Sequence, residues 1–185
     1  MIIAFKSFII LSFTKVNIMQ ILNTFQMNQK IRRISFEILE RNLGEEEIYF
    51  IGINNSGYAL AQLLSDMLNG LEYNEIKSSV TRIRVKADQP TASDIYLEGI
   101  DVDELDNKCL ILVDDVANTG RTLFYAFQPL LRIIPRKLEV AVMVDRKHKL
   151  FPVHVDYVGL SLATTLKENI RVDLSDIKNM TTSLN

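Results

Sequence analysis

The sequence has a single cysteine, four prolines, seven glycines and no tryptophan among its 185 residues. The lone Cys109 excludes an internal disulfide and a zinc ribbon, and a reducing, cytoplasmic setting is the default expectation. Lysine and arginine number 21 and aspartate and glutamate 23, so the net charge of −2 argues against a general nucleic-acid coat protein. Hydrophobic residues make up 48% of the chain, which is enough for one globular domain of ordinary size.

The amino-terminal stretch is apolar, yet it has no long uninterrupted apolar run. Lysines and serines break residues 1–26 into shorter pieces, whereas a membrane span needs about twenty consecutive apolar residues. No small-residue cleavage site follows, so a signal peptide is not favoured either. We predict an extension over residues 1–26 that is not part of the core, a folded domain over residues 27–176 and a carboxy-terminal tail over residues 177–185.

Apolar periodicity predicts alternating strands and helices. Apolar runs rich in β-forming residues indicate strands at 48–53, 80–85, 109–113, 140–144, 155–158 and 170–174. Helical spacing indicates helices within 31–39, 60–68 and 123–131, of which Pro129 should break or kink the last. This alternation predicts an α/β fold with a mostly parallel, twisted central sheet and helices on both faces. Ligands of such sheets bind beyond the carboxyl ends of the strands.

The strongest pattern runs from the most apolar strand into the following helix. Residues 112–122 read LVDDVANTGRT, so Asp114 and Asp115 precede a short turn. Amides that open a helix bind phosphate, Gly120 lets the backbone approach closely, and two threonines add hydroxyl donors. Adjacent carboxylates are suited to bind paired sugar hydroxyls and to stabilise positive charge on a sugar ring. The residues therefore predict a site for ribose 5-phosphate.

Acidic pairs at strand ends also hold Mg²⁺ in response regulators and nucleotide hydrolases, which is the main alternative. No GxxxxGK[ST] sequence occurs, which disfavours a P-loop hydrolase, and no GxGxxG follows a strand, which disfavours a dinucleotide-binding fold. A structural helix cap would need one acid or threonine rather than the whole set. The phosphate–ribose interpretation is therefore the favoured one.

The segment VDDVANTGRT resembles the phosphoribosyl-pyrophosphate signature of the type I phosphoribosyltransferases. Further segments are similar, in order and spacing, to the bifunctional pyrimidine-operon attenuators and uracil phosphoribosyltransferases: IRRISFEILERN, IGINNSG, AVMVDRKHKLFPVHVDYVG and ATTLKENIRVDL. The resemblance covers about residues 28–174 and implies the type I fold with a small hood. It also implies a pentosyltransferase that moves ribose 5-phosphate from phosphoribosyl pyrophosphate to a nucleobase, with uracil expected, giving UMP and pyrophosphate.

By match of motif, the resemblance assigns roles to residues of this chain. As catalytic residues, Asp114 and Asp115 would bind the ribose 2′ and 3′ hydroxyls and favour an oxocarbenium-like transition state. The ribose 5-phosphate loop would comprise Val116, Ala117, Asn118, Thr119, Gly120, Arg121 and Thr122. The pyrophosphate loop would comprise Asn54, Asn55, Ser56 and Gly57, and the base would be bound by Tyr157, Val158 and Arg146. The implied metal is Mg²⁺, held mainly by the substrate with no direct protein ligand.

The chain departs from the family pattern in places. The pyrophosphate loop lacks the basic residues usual there, and Leu160 and Ser161 replace a Lys–Asn pair after DYVG. These departures leave open which base is used. They also leave open the alternative that the protein is a catalytically inactive module that binds phosphoribosyl pyrophosphate. Another alternative is an RNA-binding transcriptional attenuator of pyrimidine genes that senses UMP or phosphoribosyl pyrophosphate. Its basic patch would comprise Arg132, Arg136, Lys137, Lys147 and Lys149, which we interpret as a solvated rim.

Several remaining features have simpler interpretations. Residues 86–94 form a polar loop that matches the mobile loop shielding the reacting centre in the family. His148 is interpreted as structural and Cys109 as a small core residue. The cluster of Phe124, Tyr125 and Phe127 is expected in the core or at a subunit interface. The resemblance also implies a homo-oligomer, a dimer at least.

Overall fold

The computed structural model describes residues 19–71, 75–86, 94–163 and 169–184 of the chain. Its helices are α1 (Thr24–Arg41), α2 (Asn54–Asn69) and α3 (Arg121–Ala126), with short 3-10 helices at Val102–Leu105 and Pro129–Arg132. Its strands are β1 (Met19–Leu22), β2 (Glu47–Ile53), β3 (Lys77–Val85), β4 (Ile95–Glu98), β5 (Cys109–Ala117), β6 (Lys137–Arg146), β7 (Tyr157–Leu162), β8 (Ile170–Asp173) and β9 (Thr181–Leu184). None of these helices is both long and apolar enough to cross a membrane.

Six strands form the main sheet in the order β4-β3-β2-β5-β6-β7. All neighbouring pairs are parallel except β3 and β4, which are antiparallel. The predicted, mostly parallel α/β sheet is therefore confirmed. We call the edge at which β2, β5, β6 and β7 end the carboxyl edge, and the edge at which they begin the amino edge.

Strand β5 shows why the sheet lies between two layers. Its residues Ile111 and Val113 pack into a core shared with α1 and α2, whereas Leu110 and Leu112 pack into a second core that includes residues of α3. Alternate side chains of a strand point to opposite faces, so an unbroken apolar run is buried only if both faces are covered. The run CLILV therefore belongs at the centre of the domain.

A second sheet contains three antiparallel strands in the order β1-β9-β8 and forms the expected small hood. Met19 lies opposite Leu184, and Leu22 is buried in the core beside α1. The predicted boundaries are wrong here: β1 and the start of α1 lie within residues 1–26, and β9 lies within the predicted tail. The cause is pairing over a long sequence separation, which local periodicity does not reveal. Residues 1–18 lie outside the described ranges.

Several element boundaries also differ from the predictions. Strand β5 continues through the acidic pair to Ala117, and β7 begins at Tyr157 rather than at residue 155. Helix α3 ends at Ala126, and Pro129 then opens a 3-10 helix. The predicted break at Pro129 is thus confirmed, because proline cannot donate the amide hydrogen bond that an uninterrupted helix needs.

Candidate active site

The acidic pair lies inside strand β5, two residues short of its end. Asp114 pairs with Val142 of β6, and the ladder continues to Ala117 opposite Asp145. Because side chains alternate along a strand, the two carboxylates face different sides of the sheet. Asp114 lines a small pocket beside the start of α3, whereas Asp115 lines a crevice between α2 and the hood. The pair therefore stands between two sites at one edge.

Asp114 is the more deeply placed of the two acids, with only 8% of its surface exposed. The backbone amide of Asp115 donates a hydrogen bond to Asp114 Oδ1 over 3.0 Å. Burial first, and the charge of Asp115 second, raise the pKa of Asp114 well above its usual value. A ligand that donates hydrogen bonds or brings positive charge to this position will favour the ionised form.

Residues 118–120 form the loop between β5 and α3. Gly120 has a φ of +82°, and a Cβ added there would lie 3.3 Å from the side chain of Lys149 and 3.4 Å from the carbonyl oxygen of Phe151. The loop encloses a cavity of about 40 Å³, lined by Asp114 and residues 116–123. A cavity of this size holds a few water-sized atoms, so it fits a phosphate group and not a nucleobase.

The segment that follows β6 holds this loop from outside. The carbonyl oxygen of Thr119 accepts hydrogen bonds from the amides of Leu150 and Phe151 over 2.9 and 3.1 Å. The buried Arg146 donates to Asn118 Oδ1 over 2.8 Å. Arg146 was predicted to bind the base, and the structure places it against the loop while it also lines a cavity of about 220 Å³ with Val158.

Tyr157 does not reach the carboxyl edge. Its side chain has no exposed surface, and its hydroxyl donates to Glu139 over 2.8 Å and accepts from Asn42 over 3.1 Å. Burial raises the pKa of this hydroxyl, and the hydrogen bond to Glu139 adds to that shift. The buried ring of Tyr157 cannot stack on a base, so the prediction that Tyr157 binds the base stays one for its backbone groups alone. Val158 stays a candidate because it is only half-buried.

The predicted pyrophosphate loop is the first turn of α2 rather than a free turn. Helix α2 begins at Asn54, whose φ is +52°, and its side chain exchanges two hydrogen bonds of 3.0 Å with the backbone of Val85. A Cβ at Gly57 would lie 2.3 Å from the carbonyl oxygen of Val113, so only glycine lets α2 lie directly on β5. The first turn of α2 is thereby fixed next to Asp115.

The crevice beneath the hood joins two of the predicted groups. It measures about 380 Å³ and is lined by Asn55, Ser56 and Ala59 of α2, by Asp115, and by residues 170–175 of β8 and the chain after it. A strand at 170–174 was predicted, but its place at this crevice was not, because its approach to α2 joins residues far apart in the sequence. The loop predicted to shield this region, residues 86–94, lies outside the described residues except at its two ends.

A larger cavity lies elsewhere in the described part of the chain. It measures about 770 Å³, and its lining is mainly apolar, with Phe124, Leu131 and Leu138 among the exposed side chains. Neither acid of the β5 pair lines it, so it is not the candidate site. Phe124 is 43% exposed and its ring lies 5.5 Å from that of Phe151, whereas Tyr125 and Phe127 are half-buried against the second core.

The five basic residues considered for RNA binding do not form one patch. Arg132, Arg136 and Lys137 lie before or at the start of β6, whereas Lys147 and Lys149 follow its end. A strand of ten residues is about 30 Å long, so the two groups are far apart. Lys137 pairs with Glu139 over 3.0 Å and Lys149 pairs with Asp145, so both charges are partly used within the protein.

Comparison with known proteins identifies the family of this chain. The phosphoribosyl transferase domain matches residues 17–175. The chain therefore belongs to the phosphoribosyltransferase family, and the predicted fold and enzyme class are confirmed.

Its relatives include proteins named Bifunctional protein PyrR. The one from Clostridium botulinum (strain Alaska E43 / Type E3) is 38% identical over 149 residues, covering 78% of this chain and 83% of that protein. The one from Enterococcus faecalis (strain ATCC 700802 / V583) is 33% identical over 161 residues, covering 85% and 90%.

Solved structures share the fold. A hypoxanthine-guanine phosphoribosyltransferase from Bacillus anthracis superposes with a TM-score of 0.67 at 18% identity and covers 90% of this chain and 99% of its own. The hypoxanthine phosphoribosyltransferase of Trypanosoma cruzi gives a TM-score of 0.69 at 14% identity and covers 88% and 94%.

Proposed function

We propose that this phosphoribosyltransferase acts on uracil: it transfers ribose 5-phosphate from phosphoribosyl pyrophosphate to the base, forming UMP and releasing pyrophosphate. The observation that carries the proposal is the position of the acidic pair. Asp114 faces a phosphate-sized cavity, and Asp115 faces a crevice that starts at the first turn of α2. The small cavity, the two acids and the crevice thus follow one another along this edge. A phosphorylated sugar that carries a second anionic group at its other end matches that sequence of sites.

The acids act on the sugar. The bond between the anomeric carbon and the pyrophosphate oxygen breaks while a ring nitrogen of the base attacks that carbon, so positive charge develops on the ribose. Asp114 and Asp115 accept hydrogen bonds from the ribose hydroxyls, and their negative charge stabilises the transition state more than the neutral sugar. Binding of the sugar also supplies the hydrogen-bond donors that the buried Asp114 carboxylate needs in order to ionise.

The two loops hold the ends of the substrate. The backbone around Gly120 binds the 5-phosphate in the small cavity, where Thr119 and Thr122 add hydroxyl donors. The first turn of α2 binds the pyrophosphate through the unpaired amides of a helix start. With both ends fixed, the anomeric carbon stays beside the acids, and positioning of this kind lowers the barrier.

Magnesium fits the residues of this edge. No group of three His, Cys, Asp or Glu side chains comes together as a metal cluster anywhere in the described ranges. The carboxylates of Asp114 and Asp115 are hard oxygen donors of the type that Mg²⁺ prefers, and we propose that they lie next to an ion held mainly by substrate oxygens. When bound, Mg²⁺ neutralises negative charge on the leaving pyrophosphate.

The choice of uracil rests on the DYVG segment and the residues after β6. Val158 and Arg146 line a cavity of about 220 Å³ near the phosphate loop. In sequence, both segments are similar to the uracil-specific subgroup.

Two further properties belong to the proposal. The exposed aromatic and aliphatic side chains around the large apolar cavity support a homo-oligomer. The single cysteine is buried, which agrees with a protein that works in a reducing cytoplasm.

An RNA-binding role is the second candidate, and the similarity to proteins named bifunctional favours it. The separation of the basic residues along β6 does not support it. RNA binding would show an affinity that falls steeply with salt and changes with UMP. Weak binding that is insensitive to salt would exclude this role.

The enzymatic proposal is tested by mixing the chain with phosphoribosyl pyrophosphate, Mg²⁺ and one base at a time from uracil, hypoxanthine, guanine, adenine and orotate. We expect UMP from uracil and far slower reaction with the other four. Turnover of another base alone would correct the specificity. No product from any base, together with tight binding of phosphoribosyl pyrophosphate, would show an inactive binding module.

A further inference from the structure

Lys149 differs from the other lysine that follows β6 because its side chain is turned into the protein. Only 18% of that side chain is exposed, whereas Lys147, two residues earlier, is exposed. Lysine is rarely buried, and a buried ammonium group needs partners for its charge. The partners of Lys149 therefore indicate which part of the structure it serves.

The ammonium of Lys149 joins the ends of two strands. Its Nζ pairs with Oδ1 of Asp145 and donates to the carbonyl oxygen of Arg146 over 2.7 Å, both at the end of β6. It also donates over 3.4 Å to the carbonyl oxygen of Ala117, where β5 ends. Residues 118–120, which we call the phosphate loop, begin at this point. Lys149 thus fixes the place from which the phosphate loop starts.

The aliphatic stem of Lys149 supports the other end of the phosphate loop. Gly120 has a φ of +82°, and Cδ of Lys149 lies 3.3 Å from the position that a Cβ would take there. The stem therefore lies against the backbone of Gly120, just before α3 begins. Long charged side chains pack their methylene groups against a neighbour in this way while the charged end finds its own partners. One side chain thus contacts both ends of the phosphate loop.

Two oxygen atoms at the phosphate loop are bound by cations outside the phosphate-sized cavity. Lys149 binds the carbonyl oxygen of Ala117, and Arg146 binds Asn118 Oδ1 over 2.8 Å. Both cations line the neighbouring cavity of about 220 Å³, and neither lines the phosphate-sized one. Oxygen atoms repel a phosphate and amides attract it. A loop whose oxygens are already held from outside is prepared to bind an anion.

We propose that Lys149 is a positioning residue, which holds the phosphate loop in the shape that binds the 5-phosphate without touching the phosphate itself. Its ammonium holds Ala117, its stem supports Gly120, and Asp145 keeps the ammonium in place. This inference rests on the proposed function, since it concerns the loop assigned to the 5-phosphate in that reaction. It predicts an effect confined to the phosphate end of the substrate.

Binding measurements with two fragments of the substrate test this role. We expect Lys149→Met, which keeps most of the stem and removes the ammonium, to weaken binding of ribose 5-phosphate about tenfold in calorimetry, the effect of one hydrogen bond from a charged donor. Lys149→Ala should weaken it more, because the contact with Gly120 is then lost as well. Binding of inorganic pyrophosphate, whose proposed site is the first turn of α2, should stay unchanged in both variants.

The neutral double variant Asp145→Asn/Lys149→Met removes an ambiguity. Lys149→Met alone leaves the carboxylate of Asp145, only 13% exposed, without its partner, and an unpaired buried charge can destabilise the fold. The double variant removes both charges, and we expect it to lose affinity for ribose 5-phosphate as Lys149→Met does. A double variant that binds ribose 5-phosphate normally would show that the unpaired carboxylate caused the loss, which would overturn the inference.

Kinetics give a second measure that a purely structural role would not produce. In Lys149→Met the KM for phosphoribosyl pyrophosphate should rise, while kcat stays within about twofold. The reason is that the phosphate loop holds the 5-phosphate equally well in the ground state and in the transition state. A fall in kcat with unchanged KM would overturn the inference, because it would indicate a direct part in the chemical step.

Lys137 offers a matched control at the other end of β6. Its Nζ pairs with Glu139 over 3.0 Å and donates to the carbonyl oxygen of Arg41 over 3.0 Å, so it too joins an acid of β6 to a backbone carbonyl. It lies at the amino edge of the sheet, a strand length away from the phosphate loop. Lys137→Met therefore loses a similar set of contacts and should leave binding of ribose 5-phosphate unchanged.

The outcomes separate this inference from the proposed function. Unchanged affinity for ribose 5-phosphate in a folded Lys149→Ala variant would overturn the inference, even if UMP is formed normally. An equal loss of pyrophosphate binding, or an equal loss in Lys137→Met, would overturn it too, since either result indicates general disturbance. Selective loss of ribose 5-phosphate binding in a chain that forms no nucleotide from any base would support the inference and overturn the proposed function.

Discussion

The two edges of the main sheet use similar polar residues in different ways. At the amino edge, Tyr157, Glu139 and Asn42 bond to one another, and Lys137 pairs with Glu139 over 3.0 Å. At the carboxyl edge, Asp114 and Asp115 face cavities, and burial, together with the charge of Asp115, raises the pKa of Asp114. Polar groups that face each other contribute stability, whereas polar groups that face a cavity contribute binding at some cost in stability.

The largest effect is expected from the acidic pair. The double variant Asp114→Asn/Asp115→Asn removes both negative charges from the developing cation, and we expect turnover to fall by at least about 10²–10³-fold, the range for loss of an electrostatic contact in the transition state. Thermal unfolding should occur at the same or a higher temperature. If the variant instead unfolds or loses much of its stability, the two acids have a structural role. The carboxyl edge would then not differ from the amino edge in how it uses its polar groups.

A change at the amino edge should give the opposite result. Tyr157→Phe removes a buried hydroxyl from the network with Glu139 and Asn42, and we expect a loss of about 1–3 kcal/mol in the free energy of unfolding. That loss corresponds to a fall in Tm of about 2–4 °C for each kcal/mol. The KM for uracil should stay within a factor of about two. A large rise in the KM for uracil without loss of stability would indicate that the Tyr157 side chain takes part in base binding.

Two glycines allow a matched comparison of the edges. Gly120 and Gly44 have φ values of +82° and +96°, so alanine at either position costs about 1–2 kcal/mol of stability. A Cβ at Gly44 has no heavy atom within 4 Å, whereas one at Gly120 meets Lys149 and Phe151. We expect only Gly120→Ala to raise the KM for phosphoribosyl pyrophosphate, by several-fold. Equal KM values for the two variants would show that the loop containing Gly120 does not bind the substrate.

The smallest effect concerns pH. The folded-state pKa of Asp114 lies above its ordinary value of 3.8, so the folded protein binds more protons than the unfolded chain between those values. Stability contributed by this group is therefore lost as pH rises from about 4 through the folded pKa. Asp114→Asn avoids that loss, so its Tm should exceed that of the unaltered chain at pH 7 and the difference should vanish near about pH 3. Parallel Tm curves for the two proteins would contradict the assigned shift.

The phosphate loop could be predicted from sequence because its chemistry is local. Strand, acids, loop and helix follow one another between residues 109 and 126, so their order along the chain equals their order in space. The bounds of β5 could not be predicted, because acids inside a strand resemble acids after it. The structure shows that the ladder with β6 continues to Ala117, and this extension sends the two carboxylates to opposite faces.

Tyr157 shows how a small shift of a strand changes a functional prediction. The pattern of residues 155–158 predicts a strand that ends just after Tyr157, which would place it at the carboxyl edge. Strand β7 instead begins at Tyr157 and runs to Leu162, so the same residue lies at the amino edge. Lys149 shows the other limit, since its contact with Ala117 joins residues 32 positions apart.

The carbonyl oxygen of Thr119 has a consequence for which ions the molecule admits. It points outward to the amides of Leu150 and Phe151, and in a trans peptide the next N–H points the opposite way. The N–H of Gly120 is therefore turned toward the interior, and the oxygen that would attract a cation is turned away. On the proposed function, residues 150 and 151 thus help to turn an amide toward the phosphate without touching the ligand themselves.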